Sequence, residues 1–199
     1  MEIKKSNRKA NLESLFSTPI VTVDLDVDVK AMAKECLSLS KKSPGVAKSN
    51  SGGWQSDDVR HLSSKAFKYF FTCLNEEVAR FANNIGTGPI YSNSITWINV
   101  NGYLHYNKVH IHPKSKVSGV FYVQTPEDCG KITFSHPASD ILECCWQSRP
   151  ETFSAFNAPS YSYAPIENRL ILFPSFIRHE VKPNLNKKEK RISISFNFV

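Results

Sequence analysis

The spacing of apolar positions along the chain changes period once, near residue 90. Before that point it is mainly helical. Val29, Met32, Ala33, Cys36 and Leu37 recur every three or four residues and predict a helix over 29–40. Phe67, Phe70, Phe71, Leu74, Val78 and Phe81 make a wider stripe, read as core, with Ser63 or Ser64 able to cap its start. Gly86 and Gly88-Pro89 close that second helix. A β-rich stretch at 15–25, interrupted by Pro19, predicts a first strand, and 43–58 is dense in Ser, Gly and Asn and predicts a loop.

Beyond residue 90 the chain turns to short β-rich segments at 91–100, 117–124, 131–134, 169–173, 177–182 and 191–199, with turn residues between them. Strands so spaced, without intervening helices, imply an antiparallel sandwich or barrel. Two helices ahead of them imply a mainly β jelly roll with helices packed outside one sheet. The expected organisation is a flexible N-terminus (1–14) and one domain (15–199), with helical support at 28–86 and the jelly-roll core at 90–199.

Composition changes this picture little. A chain of 199 residues, 41% apolar and 22% charged, suits one globular domain. No apolar run approaches the roughly 20 residues of a membrane helix, and residues 1–11 lack the apolar stretch of a secretory signal. The expectation is a cytoplasmic protein with no membrane partner. The five cysteines form no CxxC pair and are read as reduced thiols; a zinc site using Cys144 and Cys145 is disfavoured. The net charge of +7 is scattered. Its concentrations at 4–9 and 187–191 are read as a frayed terminus and a solvated turn in preference to a nucleic-acid surface.

The candidate chemistry lies in three histidines. His110 and His112 stand at i and i+2, so on a strand both imidazoles face one side and can converge on one metal ion. His179 lies 67 residues beyond His112, far enough to arrive from another strand. The segment from Arg191 alternates cleanly, with Arg191, Ser193, Ser195 and Asn197 on one face and Ile192, Ile194, Phe196 and Phe198 on the other. If the polar face lines a cavity, Arg191 with Ser193 beside it can grip a carboxylate through charge-assisted bonds.

Several stretches then point the same way and in a consistent order. They are Leu15-Phe16-Ser17-Thr18-Pro19, Ser51-Gly52-Gly53-Trp54-Gln55-Ser56, Trp97-Ile98-Asn99-Val100-Asn101, His110-Ile111-His112-Pro113, Ser118-Gly119-Val120-Phe121-Tyr122-Val123, Leu172-Phe173-Pro174-Ser175-Phe176 and Arg191-Ile192-Ser193-Ile194-Ser195-Phe196-Asn197. With these the chain resembles the 2-oxoglutarate- and iron(II)-dependent oxygenase superfamily, and within it the small 2-oxoglutarate oxygenases of marine bacteria and phages. The resemblance implies a double-stranded β-helix holding Fe(II), with 2-oxoglutarate as co-substrate and O2 as oxidant. It makes His110 the first ligand, His179 the distal one, and Arg191, assisted by Ser193, the partner of the far carboxylate of 2-oxoglutarate.

His112 departs from the superfamily, which ordinarily has a carboxylate there. Three arrangements fit: His112 is itself a ligand; it only orients while a carboxylate from elsewhere completes the site; or the position is open to water or halide. Glu180 is the obvious rival carboxylate, but next to His179 on a strand it should face away. Tyr122 and Asn99 are further candidates for binding 2-oxoglutarate. Trp54, His105 and His136 are candidates for the substrate, which loops at 45–58, 105–108 and 137–162 would surround, the last bringing Trp146, Phe153, Phe156 and Tyr161.

The activity implied is oxidative decarboxylation of 2-oxoglutarate to succinate, coupled to C–H hydroxylation of a peptide, a nucleobase or a small molecule. A homodimer is compatible with the sequence. The rival classes are a three-histidine cupin-type dioxygenase without 2-oxoglutarate, which would need no Arg191-Ile192-Ser193, and a catalytically silent jelly-roll binding protein.

Overall fold

The computed structural model describes residues 11, 13–90, 92–145 and 151–199. Both helices form where the apolar spacing puts them. The first, α1 (Val29–Ser40), starts at Asp28, whose carboxylate accepts the Ala31 N–H at 3.0 Å. The second, α2 (Lys65–Ile85), starts at Ser64, whose hydroxyl accepts the Phe67 N–H at 3.3 Å. It ends at Gly86, where φ of 67° suits a residue without Cβ.

In chain order the strands are β1 (Val21–Asp24), β2 (Asn50–Ser51), β3 (Trp54–Gln55), β4 (Asn93–Asn101), β5 (Tyr106–His110), β6 (Val117–Gln124), β7 (Ile132–Ser135), β8 (Ser160–Tyr163), β9 (Arg169–Pro174), β10 (His179–Val181) and β11 (Arg191–Phe198). A short helix, α3 (Ser139–Cys145), lies between β7 and β8. All pairings are antiparallel. One sheet runs β1-β9-β6-β11-β4-β3 and the other β2-β5-β10-β7-β8.

The larger sheet is buried on both faces, and its alternation sorts side chains between two compartments. Ile98 and Val100 of β4, Phe121 and Val123 of β6, Leu170 and Leu172 of β9, and Ile192, Ile194 and Phe196 of β11 pack with Phe67, Phe70, Leu74 and Val78 of α2. The opposite face turns Val120, Tyr122, Ile171 and Phe173 toward Ile132 and Phe134 of the smaller sheet. The helices thus seal one side of the large sheet and leave the space between the sheets for a site.

Some expectations are corrected. The first strand begins only at Val21, and Leu15 and Phe16 are exposed. Strands β2 and β3 lie inside the predicted loop 43–58, β5 takes in most of the predicted loop 105–108, and α3 and all but the last residue of β8 lie inside 137–162. Each is short, or lacks the alternation that identifies strands in sequence. The segment 177–182 is a strand only over His179–Val181. The basic run 4–9 and Trp146 fall outside the described residues. The five cysteines are free thiols, with Cys144 and Cys145 exposed. No helix among the described residues is long and apolar enough to cross a membrane.

Candidate metal centre

Strands β5 and β10 pair with an irregular register. Val181 faces Asn107 and His179 faces His110, so three steps on β5 match two on β10. The extra residue is a β-bulge at Lys108 and Val109, both of which are exposed. A bulge changes the phase of the alternation and re-aims the next side chain. Asn107 and His110, which strict alternation would send to opposite faces, therefore line the same inner chamber.

His112 lies just past the end of β5, not on it, which corrects the single-strand reading of the pair. Its N–H donates to the Ser175 carbonyl at 3.0 Å, holding the segment extended. The result for the rings is the one expected. The ring centroids of His110 and His179 are 4.3 Å apart, those of His110 and His112 4.9 Å, and those of His112 and His179 5.1 Å. One nitrogen from each lies within 4.8 Å of the other two.

Two tautomers are fixed by the backbone. Nδ1 of His110 is 2.6 Å from the Lys108 carbonyl, and Nδ1 of His179 is 3.0 Å from the Ile177 carbonyl. A carbonyl only accepts, so each Nδ1 carries the proton and each Nε2 keeps its lone pair. Desolvation holds the imidazoles neutral: the pKa of His112 is lowered to about 3, by burial and then by His179 and His110. That of His179 falls to about 4 through burial and then His110, and that of His110 is lowered through burial. Neutral, oriented imidazoles are what a transition-metal ion requires of its ligands.

No Asp or Glu joins this cluster among the described residues. Glu180 pairs instead with Lys182 at 2.6 Å. The arrangement in which a carboxylate from elsewhere completes the site thus finds no candidate there.

Behind the histidines lies a group of buried polar atoms without partners: Arg191 Nη2, Tyr122 Oη, Asn101 Nδ2 and Asn99 Oδ1. All four residues belong to the large sheet, where Arg191 pairs with Asn101, and Ser193 with Asn99 and Tyr122. Leaving such an atom unpaired costs about 1–3 kcal/mol, so four together mark a place built for a polar guest.

Arg191 is only 1% exposed, and its Nη1 donates to the carbonyls of Cys129, of Gly130 and, at 3.1 Å, of Lys182. Gly130 has a φ of +87°, and a Cβ there would stand 2.1 Å from the Lys182 carbonyl oxygen, so the collar of carbonyls depends on glycine. Burial pulls the Arg191 pKa down from its ordinary value and pushes that of Tyr122 up.

The histidines separate two chambers. The inner one is narrow, with about 30 Å³ of open space, and is lined by Asn99, Tyr122, Ser193 and Ser195 beside the three imidazoles. That is room for little more than a water, so a five-carbon dicarboxylate enters only as side chains shift. The outer one, about 450 Å³, opens to the surface past Trp97, whose ring centroid is 5.7 Å from that of His112.

Trp54, His105 and His136 are not brought to either chamber. Trp54 packs on the helical side and donates to the Ser43 carbonyl at 3.0 Å. Nδ1 of His105 accepts the Gly102 N–H at 3.0 Å, pinning a turn. His136 lines a separate surface groove with Phe153, Phe156 and Tyr161. Residues missed in the sequence also line the chambers or their back wall, among them Gln55, Asn101, Asn107 and Asn197. Alternation from Trp54 and from Asn99 would have found the first two. Asn197 had been placed on the cavity face without a role; its Nδ2 is 3.5 Å from His112 Nδ1.

The donor set fits a divalent transition metal with a carboxylate-bearing companion. Three neutral nitrogens converge, and unpaired donors from Arg191, Tyr122 and Asn101 lie behind them.

Residues 95–197 match the sequence family described as "Putative 2OG-Fe(II) oxygenase". No curated protein matches the chain in sequence. Among solved structures, the chain is similar to a prolyl-4-hydroxylase from Pseudomonas putida, with a TM-score of 0.67, 16% identity and coverage of 92% of this chain and 94% of that one. It is similar to a prolyl hydroxylase from Trichoplax adhaerens, in complex with a hypoxia inducible factor peptide fragment, at a TM-score of 0.64 and 17% identity, over 90% and 82% of the two chains. The epimerase SnoN, solved with Fe3+, alpha ketoglutarate and nogalamycin RO, matches at a TM-score of 0.63 and 15% identity, over 90% and 78%. At these identities the likeness establishes the fold, a double-stranded β-helix.

Proposed function

The chain belongs to the 2OG-Fe(II) oxygenase family, and on that premise we propose that it is a dioxygenase that couples oxidative decarboxylation of 2-oxoglutarate to C–H hydroxylation. Members of this family use Fe(II), 2-oxoglutarate and O2. We assign His110, His112 and His179 as the ligands, and Arg191, Ser193, Tyr122 and Asn99 to 2-oxoglutarate.

The observation that carries this reading is the pairing of two features. Three neutral imidazoles converge within 4.8 Å, and behind them stands a buried arginine with an unpaired Nη2. A three-histidine dioxygenase without 2-oxoglutarate leaves that guanidinium unexplained. So does a silent binding protein.

When bound, the iron supplies the redox chemistry that joins O2, co-substrate and substrate. The chain's own part is placement. Arg191 offers charge-assisted donors to the far carboxylate, with the Tyr122 hydroxyl and Asn101 amide nearby. The carbonyls of Lys108 and Ile177 keep the protons of His110 and His179 on Nδ1. Phe134, Phe173 and Val120 exclude water behind the centre.

The test is iron-dependent formation of succinate from 2-oxoglutarate, with and without candidate substrates, beside Arg191→Leu. Succinate that needs iron and is lost in Arg191→Leu is the expected result. No iron-dependent succinate under any condition, with iron bound, would sink the proposal.

A further inference from the structure

The outer chamber has a chemical character of its own. The bulge that turns His110 inward leaves Lys108 on the rim, and Lys48 stands beside it, since Ser49 bonds Lys108 through its carbonyl at 2.9 Å. Neither lysine has an ion pair among the described residues, and no Asp or Glu lines the chamber. Deeper in, Gln55 is 3% exposed and its Oε1 is buried without a partner. The walls between are apolar, from Trp97, Ile95 and Ile111.

We propose that this chamber selects small anionic substrates, taking a carboxylate or phosphate at Lys48 and Lys108 and an N–H or O–H donor at Gln55. The proposal rests on the metal-centred reading above. Rim ammoniums without counter-charges, above neutral imidazoles and a metal whose charge 2-oxoglutarate balances, make the field positive at the rim. Such a field draws anions, gives neutral molecules nothing and repels cations. A volume of about 450 Å³ is that of a small-molecule site, and the apolar walls would hold the C–H-bearing part beside the histidines. The unpaired Gln55 oxygen adds the second requirement, because an acceptor buried there is satisfied only by a donor on the guest.

The experiment uses matched fragments, each scaffold made as carboxylate, phosphate monoester and carboxamide. Binding is followed through the Trp97 indole resonance, in protein loaded with zinc in place of iron and saturated with 2-oxoglutarate. The anionic members should bind about tenfold more tightly than their carboxamides, the scale of one charge-assisted hydrogen bond. In Lys48→Gln/Lys108→Gln the gap should close to about twofold, and Gln55→Leu should weaken only fragments that carry a donor. Preference between carboxylate and phosphate then identifies the anion. Equal binding of carboxamides, a preference that survives in the double lysine variant, binding confined to acidic peptides, or no anion binding at all would overturn the proposal. Occupancy by 2-oxoglutarate is measured in the same samples. Its absence counts against the co-substrate reading, whereas its presence without anion preference counts against this inference alone.

Discussion

His110 and His179 are direct partners across the β5–β10 ladder, ring centroids 4.3 Å apart, only because β5 carries one residue more than β10 between them and the pair Asn107–Val181. Deleting Val109 removes the extra residue, and His110 then stands two steps from Asn107, so strict alternation keeps it on the inner face opposite His179. Deleting Lys108 and Val109 together leaves it one step from Asn107 and sends it to the outer face. The double deletion should lower metal affinity by about 100-fold or more while the single deletion retains metal, with native far-ultraviolet circular dichroism in both. Titration calorimetry with Fe(II) or Co(II) checks this, and a double-deletion variant that binds metal as well as the parent would remove the register of β5 from the account.

His112 occupies the position where the wider superfamily carries a carboxylate. Three neutral imidazoles leave Fe(II) its full charge, so dianionic 2-oxoglutarate completes a neutral assembly; an Asp would make it −1. His112→Asp should retain metal, with a lower reduction potential, whereas His112→Ala should lose about 10- to 100-fold in affinity. Metal retained by His112→Ala and abolished in His112→Asp would show that His112 is not a ligand.

Tyr122 supplies a prediction with opposite signs in the free and the loaded protein. Its hydroxyl is buried without a partner, so Tyr122→Phe should stabilise the free protein by about 1 kcal/mol. The same change should weaken 2-oxoglutarate by about tenfold, because the hydroxyl finds its partner there. Thermal unfolding with and without 2-oxoglutarate measures both. A variant destabilised to the same extent in the two states would contradict the assignment.

Arg191→Leu should raise the apparent Kd for 2-oxoglutarate by about 100-fold, through loss of charge-assisted bonds. The metal should still bind, since Arg191 touches none of the histidines. Arg191→Lys should recover only part of the loss, because an ammonium cannot present the guanidinium fork while meeting the carbonyl collar. Loss of metal together with co-substrate would point instead to a general collapse of the site.

The buried histidines also give the metal-free protein a pH dependence. In the unfolded chain a histidine titrates near about 6.5, whereas in the fold His112 is lowered to about 3 and His179 to about 4, with His110 lowered too. Above pH about 6.5 both states are neutral and the stability is fully present. As pH falls below that value the unfolded chain takes up protons the folded one refuses. Stability then drops down to about pH 3–4, by up to about 1.4 kcal/mol per pH unit for each histidine. Unfolding midpoints between pH 7 and 4 should fall faster for the parent than for a variant with all three replaced by leucine. Equal slopes would exclude these residues as the cause.

Much of the architecture is legible before any coordinates. The stripe Phe67, Phe70, Leu74, Val78, Phe81 and the caps at Ser64 and Gly86 define α2, because helical burial repeats every 3.6 residues and leaves a local record. The alternation of Arg191 to Phe198 likewise foretells a strand with a polar inner face and an apolar outer one. Strands β2, β3, β5 and β8 escaped because two to five residues carry too short a period to stand out, or because a bulge breaks it.

By itself, then, the sequence determined the candidate residues, His110, His112, His179 and Arg191, and the faces on which the last strand sorts its side chains. Those features are local or recur at fixed intervals. The tertiary structure alone decided that the bulge brings His110 onto His179, that no carboxylate reaches the cluster among the described residues, and that Trp54, His105 and His136 serve the scaffold or another surface. It also decided that Gln55 and Asn101 are buried with atoms left unpaired. Strand register and polar satisfaction depend on partners far away in sequence, and spacing along one chain holds no record of what lies across the ladder.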